Sequence, residues 1–349
     1  MKLKKILQIG KLYLNKNNLK GIEKINPVIL HAQIKVSENC NARCVTCDVW
    51  KNNSPDNNML FEDYKNNLLQ LKKTGLMGVS LTGGEPLLNP DIIQICKFTK
   101  ENKIRVNLGT NGLLLEKKYK ELINYVNQIN VSIDGLEKTN DYIRGVKGYF
   151  KKATNALIKI RKEYPKKTLK IATTIISQNI DEIPELLKFC KQHKIIWAFN
   201  LLDTSPYFFK KVDLEPLLIK DEKKINEFKK CLLEYKKKEV IQYSNSTINL
   251  AVAYLKNKET KLLPCFLGFI TAYLDAKSNL YSGCWVFPPL GNLKEENIGK
   301  ILSSGEYKKR IIGMYQRRCP NCTCGFNTNV DIYNLDKYVG EKIFNIPKL

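Results

Sequence analysis

The chain has 349 residues, 43% of them hydrophobic and 26% charged, with 58 Lys+Arg against 34 Asp+Glu and a formal net charge of +24. That composition is globular and excludes a disordered or fibrous protein, and the length suits one large α/β unit with an appendix. The longest charge-free runs, 240–255 and 278–293, are sixteen residues each, whereas a membrane span needs roughly 20 apolar residues, so none is expected to cross a bilayer.

Residues 1–27 are basic, and Leu3, Ile6, Leu7 and Leu14 with lysines between them predict an amphipathic helix. Its expected place is against the base of the following domain and not in a membrane interface. Lys11 breaks the apolar stretch and no small-residue cleavage site follows, so no signal peptide is read and a cytoplasmic location is expected. Residues 28–210 then alternate strand and helix patterns. Apolar runs at 27–36, 75–83, 104–112, 125–135, 168–177 and 194–203 predict six strands, with helical stretches such as 61–75, 90–103 and 180–194 between them. Such alternation implies right-handed βαβ units and a parallel sheet. Gly83, Gly84, Gly109, Gly112 and Gly135 place the turns at the C-terminal edge of that sheet, where α/β enzymes keep their chemistry. Six repeats are too few to close an eight-fold barrel. The expected fold is therefore α/β, a partial (βα)6 TIM-type barrel with an open side. Residues 211–258 read as a helical bridge with one long charged helix over 215–240. From 259 to 330, Cys, Pro, Gly and aromatics at short intervals predict a small Cys-rich C-terminal domain, and 331–349 form a tail.

Only seven of the 58 cations are arginine, and the lysines are scattered among asparagines and isoleucines. Base-reading surfaces lean on arginine forks, so a solvated surface is the expected reading of the charge and nucleic acid is not expected as a partner.

Eleven cysteines without a secretory signal argue for metal or redox chemistry over a disulfide framework. Cys96, Cys190 and Cys231 stand alone in helical patterns and read as small buried hydrophobes. The others cluster. Cys40, Cys44 and Cys47 form a C-x3-C-x2-C triplet in ENCNARCVTC, on the loop after the first strand. Three thiolates on a tight loop can hold three irons of a [4Fe–4S] cube and leave the fourth iron open to a small chelating molecule. Zinc is the alternative, but it would want a fourth protein ligand or a histidine, and none lies near in sequence.

Three further motifs follow the next strands: LTGGEP at 81–86, GTNG at 109–112 and VSIDG at 131–135. Together with CNARCVTC these resemble the radical S-adenosylmethionine superfamily, whose core is a (βα)6 partial barrel; the resemblance covers roughly residues 28–205. It implies that Cys40, Cys44 and Cys47 bind a [4Fe–4S] cluster whose open iron is chelated by S-adenosylmethionine. It also implies that Gly83, Gly84 and Glu85 line the methionine end, and that Ser132 and Asp134 face the ribose. Arg144, in DYIRG, would pair with the carboxylate. One position departs from the family pattern: Thr46 stands before the third cysteine, where an aromatic residue is common. A reductant such as flavodoxin or ferredoxin would supply the electron for reductive cleavage to a 5′-deoxyadenosyl radical.

Cys265, Cys284, Cys319, Cys322 and Cys324 make a second group, and the segment ending in YLDAKSNLYSGC reads as a hairpin. This arrangement resembles the SPASM/twitch appendages of radical enzymes. It implies a second, fully ligated [4Fe–4S] cluster on Cys265, Cys284, Cys319 and Cys322, with Cys324 as a possible substitute ligand. Asn279 stands where the family often has a glycine, and asparagine also tolerates positive φ. A four-cysteine zinc knuckle is the alternative. A closed cluster cannot bind substrate, so an electron-accepting role in a net two-electron oxidation is expected. Only 39 residues precede Cys40, too few for a fused peptide-recognition domain, which tilts the expected substrate toward a small alcohol or sugar over a peptide. Peptide maturation is the alternative; an RNA-modifying radical enzyme and a non-catalytic iron–sulfur electron carrier are more distant ones.

Overall fold

All six expected strands form, five of them inside their predicted windows and the first running one residue past its window, to Ser37. They are β1 (His31–Ser37), β2 (Gly78–Gly83), β3 (Arg105–Thr110), β4 (Gln128–Ser132), β5 (Thr168–Ile175) and β6 (Ile196–Leu201). The computed structural model describes residues 2–202, 214–256, 263–318, 323 and 325–335, with side chains from Ile6 onward except that of Phe326. Strands β1 to β6 pair in chain order and in parallel, with Gln33 opposite Ser80 and Ser132 opposite Ala172. The helices between them, among them Phe61–Thr74, Ile92–Glu101, Tyr149–Glu163 and Ile183–Gln192, pack on one side of this sheet. The result is the partial (βα)6 barrel.

Strand composition divides the two faces sharply. Val79 and Leu81, Val106 and Leu108, Ile129 and Val131, and Leu169 and Ile171 are all buried in the core shared with the helices. Their neighbours Ser80, Asn107, Asn130 and Lys170 are only partly buried, on the inner face. Closed barrels fill that interior with branched aliphatic side chains. Here the inner wall is polar and accessible.

The C-terminal region continues the same sheet. Strand β7 (Thr271–Leu274) pairs in parallel with β1, and β8 (Asn279–Tyr281) and β9 (Gly291–Asn292) follow antiparallel. An uncovered edge of β1 would expose a row of unpaired backbone groups, and β7 covers it. The hairpin expected before Cys284 is β7–β8.

Three local expectations need correction. The helix expected over 215–240 begins only at Glu222 and ends at Lys237, because Asp221 caps it by accepting from the N–H groups of Lys223 and Lys224, while Pro216 sits in a separate single turn. The polar run after it contains a further helix, Asn245–Leu255, capped by Ser244 through the N–H of Thr247. The N-terminal helix, Lys2–Leu14, does pack, but through the opposite face. Leu12 is buried and Gln8 Nε2 donates to the carbonyls of Asn26 and Phe269, whereas Ile6, Leu7 and Leu14 point outward. Its contacts are Leu30 below β1 and the C-terminal Phe266, Phe269 and Ile332. Cys96 and Cys190 are buried in the core, as expected of small hydrophobes, and Cys231 is partly buried against it.

Candidate cluster and cofactor site

The cysteine loop leaves the C-terminal end of β1 and is held from two sides. On one side, Gly84 N–H donates to Ser37 O (2.8 Å) and Glu85 N–H to Asn39 O (2.7 Å). Glycine is required there. Gly83 has φ +145°, and a Cβ on it would lie 1.7 Å from Ser37 O; one on Gly84 would lie 2.4 Å from Asn39 O. On the other side, Arg43 N–H donates to Arg144 O and Val45 N–H to Ile143 O, tying the loop to the end of the helix Glu137–Arg144. Asn53 closes the ring by accepting from Cys40 N–H and donating to Cys40 O, both at 2.9 Å.

Glu85 is fully buried, and its carboxylate accepts from Leu87 N–H (3.0 Å), the Thr110 hydroxyl (2.7 Å) and Asn111 N–H (2.6 Å). Burial pushes this carboxyl up to about 7 against the pull of those three donors. The side chain that was expected to line the methionine end therefore clamps the GGEP turn to the GTNG turn. Asn111, which the motif reading did not single out, donates in turn to Asn41 Oδ1 at 2.6 Å, inside the cysteine loop.

Ser132 ends β4 on the inner face, and its carbonyl accepts from the Tyr149 hydroxyl at 2.9 Å. Asp134, expected at the ribose, is fully buried: Oδ1 accepts from Thr174 N–H (2.7 Å) and Oδ2 lies 2.8 Å from Arg144 Nη2. That second contact is an ion pair without hydrogen-bond alignment, and the buried Nε of Arg144 has no acceptor among the described residues. Arg144 Nη1 also approaches Cys44 Sγ at 3.8 Å. Removing Asp134 would leave a buried guanidinium unpaired. Asp134→Ala is expected to cost about 3–5 kcal/mol in urea unfolding of the metal-free protein; a loss below about 1 kcal/mol, the size of an exposed pair, would show that solvent already reaches the site.

The donor set fits an iron–sulfur cluster. Burial raises the Cys40 thiol to about 11, helped by the neighbouring Cys44, Glu85 and Cys47, and burial raises Cys47 as well. The three cysteines are partly buried and near one another, and a cationic centre would favour the thiolate forms that burial opposes. Among the described residues no three Cys, His, Asp or Glu converge on one metal ion. A cube asks for less, since each thiolate sits on its own iron. Arg144, with an unsatisfied donor beside Cys44, suits an anionic group bound next to such a cluster.

In the C-terminal region Cys265 and Cys284 are buried in one small apolar cluster with Leu267 and Met314. Asn329, on the helix Phe326–Tyr333, links to this cluster by donating to Cys265 Sγ at 3.6 Å and accepting from Phe266 N–H at 2.8 Å. Cys319, Cys322 and Cys324 lie outside the described residues. Asn279, where the family often has a glycine, does not adopt a positive φ. Ser278, one residue earlier, does (φ +70°), while Asn279 donates from its N–H and its side chain to Asp275 in the β7–β8 turn. Trp285, next to Cys284, packs at a tilt on Tyr273 and edge-on against Tyr281, and Lys35 Nζ on the inner face of β1 lies 4.4 Å from its ring centre. Nothing in the sequence pattern pointed to Lys35 or Trp285, because only β7 docking on β1 brings them together.

A six-stranded parallel barrel arc thus carries the cysteine triplet on the loop that leaves the C-terminal end of its first strand. Residues 34–190 match the radical SAM superfamily. They belong to that superfamily, whose members bind a [4Fe–4S] cluster and S-adenosylmethionine. Among similar proteins, the Fe-coproporphyrin III synthase of Methanosarcina barkeri is 32% identical over 166 residues, 46% of this chain and 40% of that one. The sporulation killing factor maturation protein SkfB of Bacillus subtilis is 27% identical over 160 residues, 45% of this chain and 38% of that one. The chain thus spans less than half the length of these two relatives. The Streptococcus suis protein SuiB, solved bound to S-adenosylmethionine, has the same fold with a TM-score of 0.66 at 18% identity, over 88% of this chain and 73% of that one. The likeness in fold therefore runs past the barrel into the C-terminal region. Among the described residues no helix is long and apolar enough to cross a membrane.

Proposed function

We propose that this chain is a cytoplasmic radical SAM enzyme that oxidatively modifies a peptide and carries a second iron–sulfur cluster. The observation that carries the reading is the joining of β7 to β1, which sets Cys265, Cys284 and Trp285 beside the barrel that holds the cysteine triplet. The likeness to SuiB, also solved with its precursor peptide SuiA, and to the maturation protein SkfB supports a peptide over the small alcohol or sugar expected from the sequence. The small alcohol or sugar becomes the second reading, less well supported than the peptide.

Bound together at this site, a reduced cluster and S-adenosylmethionine supply a 5′-deoxyadenosyl radical that takes a hydrogen atom from a C–H bond. The chain's own residues do the positioning. Cys40, Cys44 and Cys47 would hold the cluster, and Gly83 and Gly84 allow backbone to approach the methionine end. Arg144 would offer its unsatisfied donor to the carboxylate, and Ser132 stands at the ribose side. Asp134 orients Arg144 and does not reach the cofactor itself. The polar inner wall would align the substrate near the reactive carbon, at the top of the barrel. Cys265, Cys284, Cys319 and Cys322, with Cys324 as substitute, would hold the second cluster, whose chemistry is to accept the electron released by substrate oxidation. Flavodoxin or ferredoxin would serve as the external donor.

The test is an anaerobic incubation of reconstituted protein with S-adenosylmethionine, dithionite and the short peptides encoded beside its gene. A peptide product lighter by two hydrogens, formed with 5′-deoxyadenosine, is the expected result. Cleavage of S-adenosylmethionine without change in any such peptide, together with turnover of a sugar alcohol, would overturn the peptide reading.

A further inference from the structure

We propose that the barrel lumen receives a carboxylate of the substrate peptide, held by Lys170 on β5. The inner wall is charged with one sign only. No inward position of β1 to β7 is Asp or Glu, whereas Lys35, Arg105 and Lys170 all fall on inward positions. Two of the three have other engagements or surroundings. Lys35 is paired with Glu38 at 3.5 Å and covers Trp285, and Arg105 is exposed at the lower rim.

Lys170 is different. The burial of β5 alternates strictly, with Leu169, Ile171 and Thr173 buried toward the helices, so Lys170 shares the inner face with Ala172 and Thr174. It is partly buried, and among the described residues no carboxylate or other hydrogen-bonding group pairs with its ammonium. Burial alone pushes its pKa below the ordinary lysine value. A half-buried cation without a counter-charge is costly, and an incoming anion relieves that cost. Walls of a single sign also concentrate oppositely charged ligands.

The surrounding groups suit a carboxylate. Asn130 lies directly opposite Lys170 across the β4–β5 pairing, and its Oδ1 already accepts from Gln128 Nε2 at 2.7 Å, which leaves its amide N–H groups as donors. Depth also fits. Ala172 pairs with Ser132 at the cofactor end, and Lys170 lies two residues lower, about 7 Å down the strand. An acidic side chain held there would leave the adjoining backbone and side chains of the peptide near the reactive end.

This inference rests on the reading of the chain as a peptide-modifying radical SAM enzyme, and its test is chosen to fail separately. Reconstituted protein loaded with S-adenosylmethionine is titrated calorimetrically with two capped tripeptides, Glu-Glu-Glu and Gln-Gln-Gln. The wild type is expected to bind the acidic peptide at least about tenfold tighter than the neutral one. Lys170→Gln should lose that preference, while Lys170→Arg should keep it within about threefold. Lys117→Gln, an exposed position, controls for attraction to the basic surface and should leave it unchanged. Equal binding of the acidic peptide by the wild type and Lys170→Gln would overturn the assignment, and so would a wild type that binds neither peptide or both alike. Reductive cleavage of S-adenosylmethionine by the same wild-type preparation is measured in parallel. Its absence would sink the radical SAM reading, whatever the peptides do.

Discussion

Replacing Cys40, Cys44 and Cys47 together with alanine is expected to abolish reductive cleavage of S-adenosylmethionine and to lower the iron content from about eight per chain to about four. The argument starts from the loop. Its backbone is pinned by hydrogen bonds with the GGEP turn, with the carbonyls of Arg144 and Ile143, and with the Asn53 side chain, none of which depends on the cysteine side chains. The triple variant should therefore keep the barrel and lose only the ligands. Circular dichroism and urea unfolding of the metal-free protein should match the wild type within about 0.5 kcal/mol, since the thiols are partly exposed in the described structure. Cleavage that survived in the triple variant would place the reaction somewhere other than this loop.

Replacing Cys284 with alanine should do the reverse. Cys284 and Cys265 share a buried apolar cluster with Leu267 and Met314, remote in sequence from the triplet. Loss of one thiolate from a four-cysteine site should remove the second cluster, again leaving about four irons, while the S-adenosylmethionine site stays assembled. The variant should still form 5′-deoxyadenosine with dithionite. Oxidised product should fall by at least about a hundredfold, because the electron from the substrate has no nearby acceptor and about 2.7 kcal/mol of barrier corresponds to that factor. Undiminished product would assign the C-terminal cysteines a structural duty. Iron loss confined to the triplet in the first variant and to the C-terminal site in the second would establish two separate clusters.

Much of the fold is written in local patterns. The six strands are legible because their outward residues, such as Val79, Leu81, Ile129 and Val131, must meet helices and so recur at every second position. The cysteine triplet is legible because ligands of one loop lie within eight residues. Glycines 83 and 84 are legible because two loops cannot approach to hydrogen-bonding distance past a Cβ.

What distance in sequence separates, composition does not report. The Asp134–Arg144 ion pair, the bonds to Glu85 from Thr110 and Asn111, and the contact of Lys35 with Trp285 each join groups from different elements. The N-terminal helix shows the same limit: the stripe of Ile6, Leu7 and Leu14 faces outward, and only docking beside Phe266, Phe269 and Ile332 selects the face through Leu12. By itself the sequence determined a six-stranded parallel barrel arc, a cysteine triplet at its C-terminal edge and a cysteine-rich region beyond it, because periodicity and ligand spacing are properties of neighbours along the chain. Only the tertiary structure decided that this region continues the barrel sheet through β7 and that the inner wall is polar and positively charged. Both depend on which strand edge is left open and on which side chains face one another across the lumen, and those are set when separate elements pack.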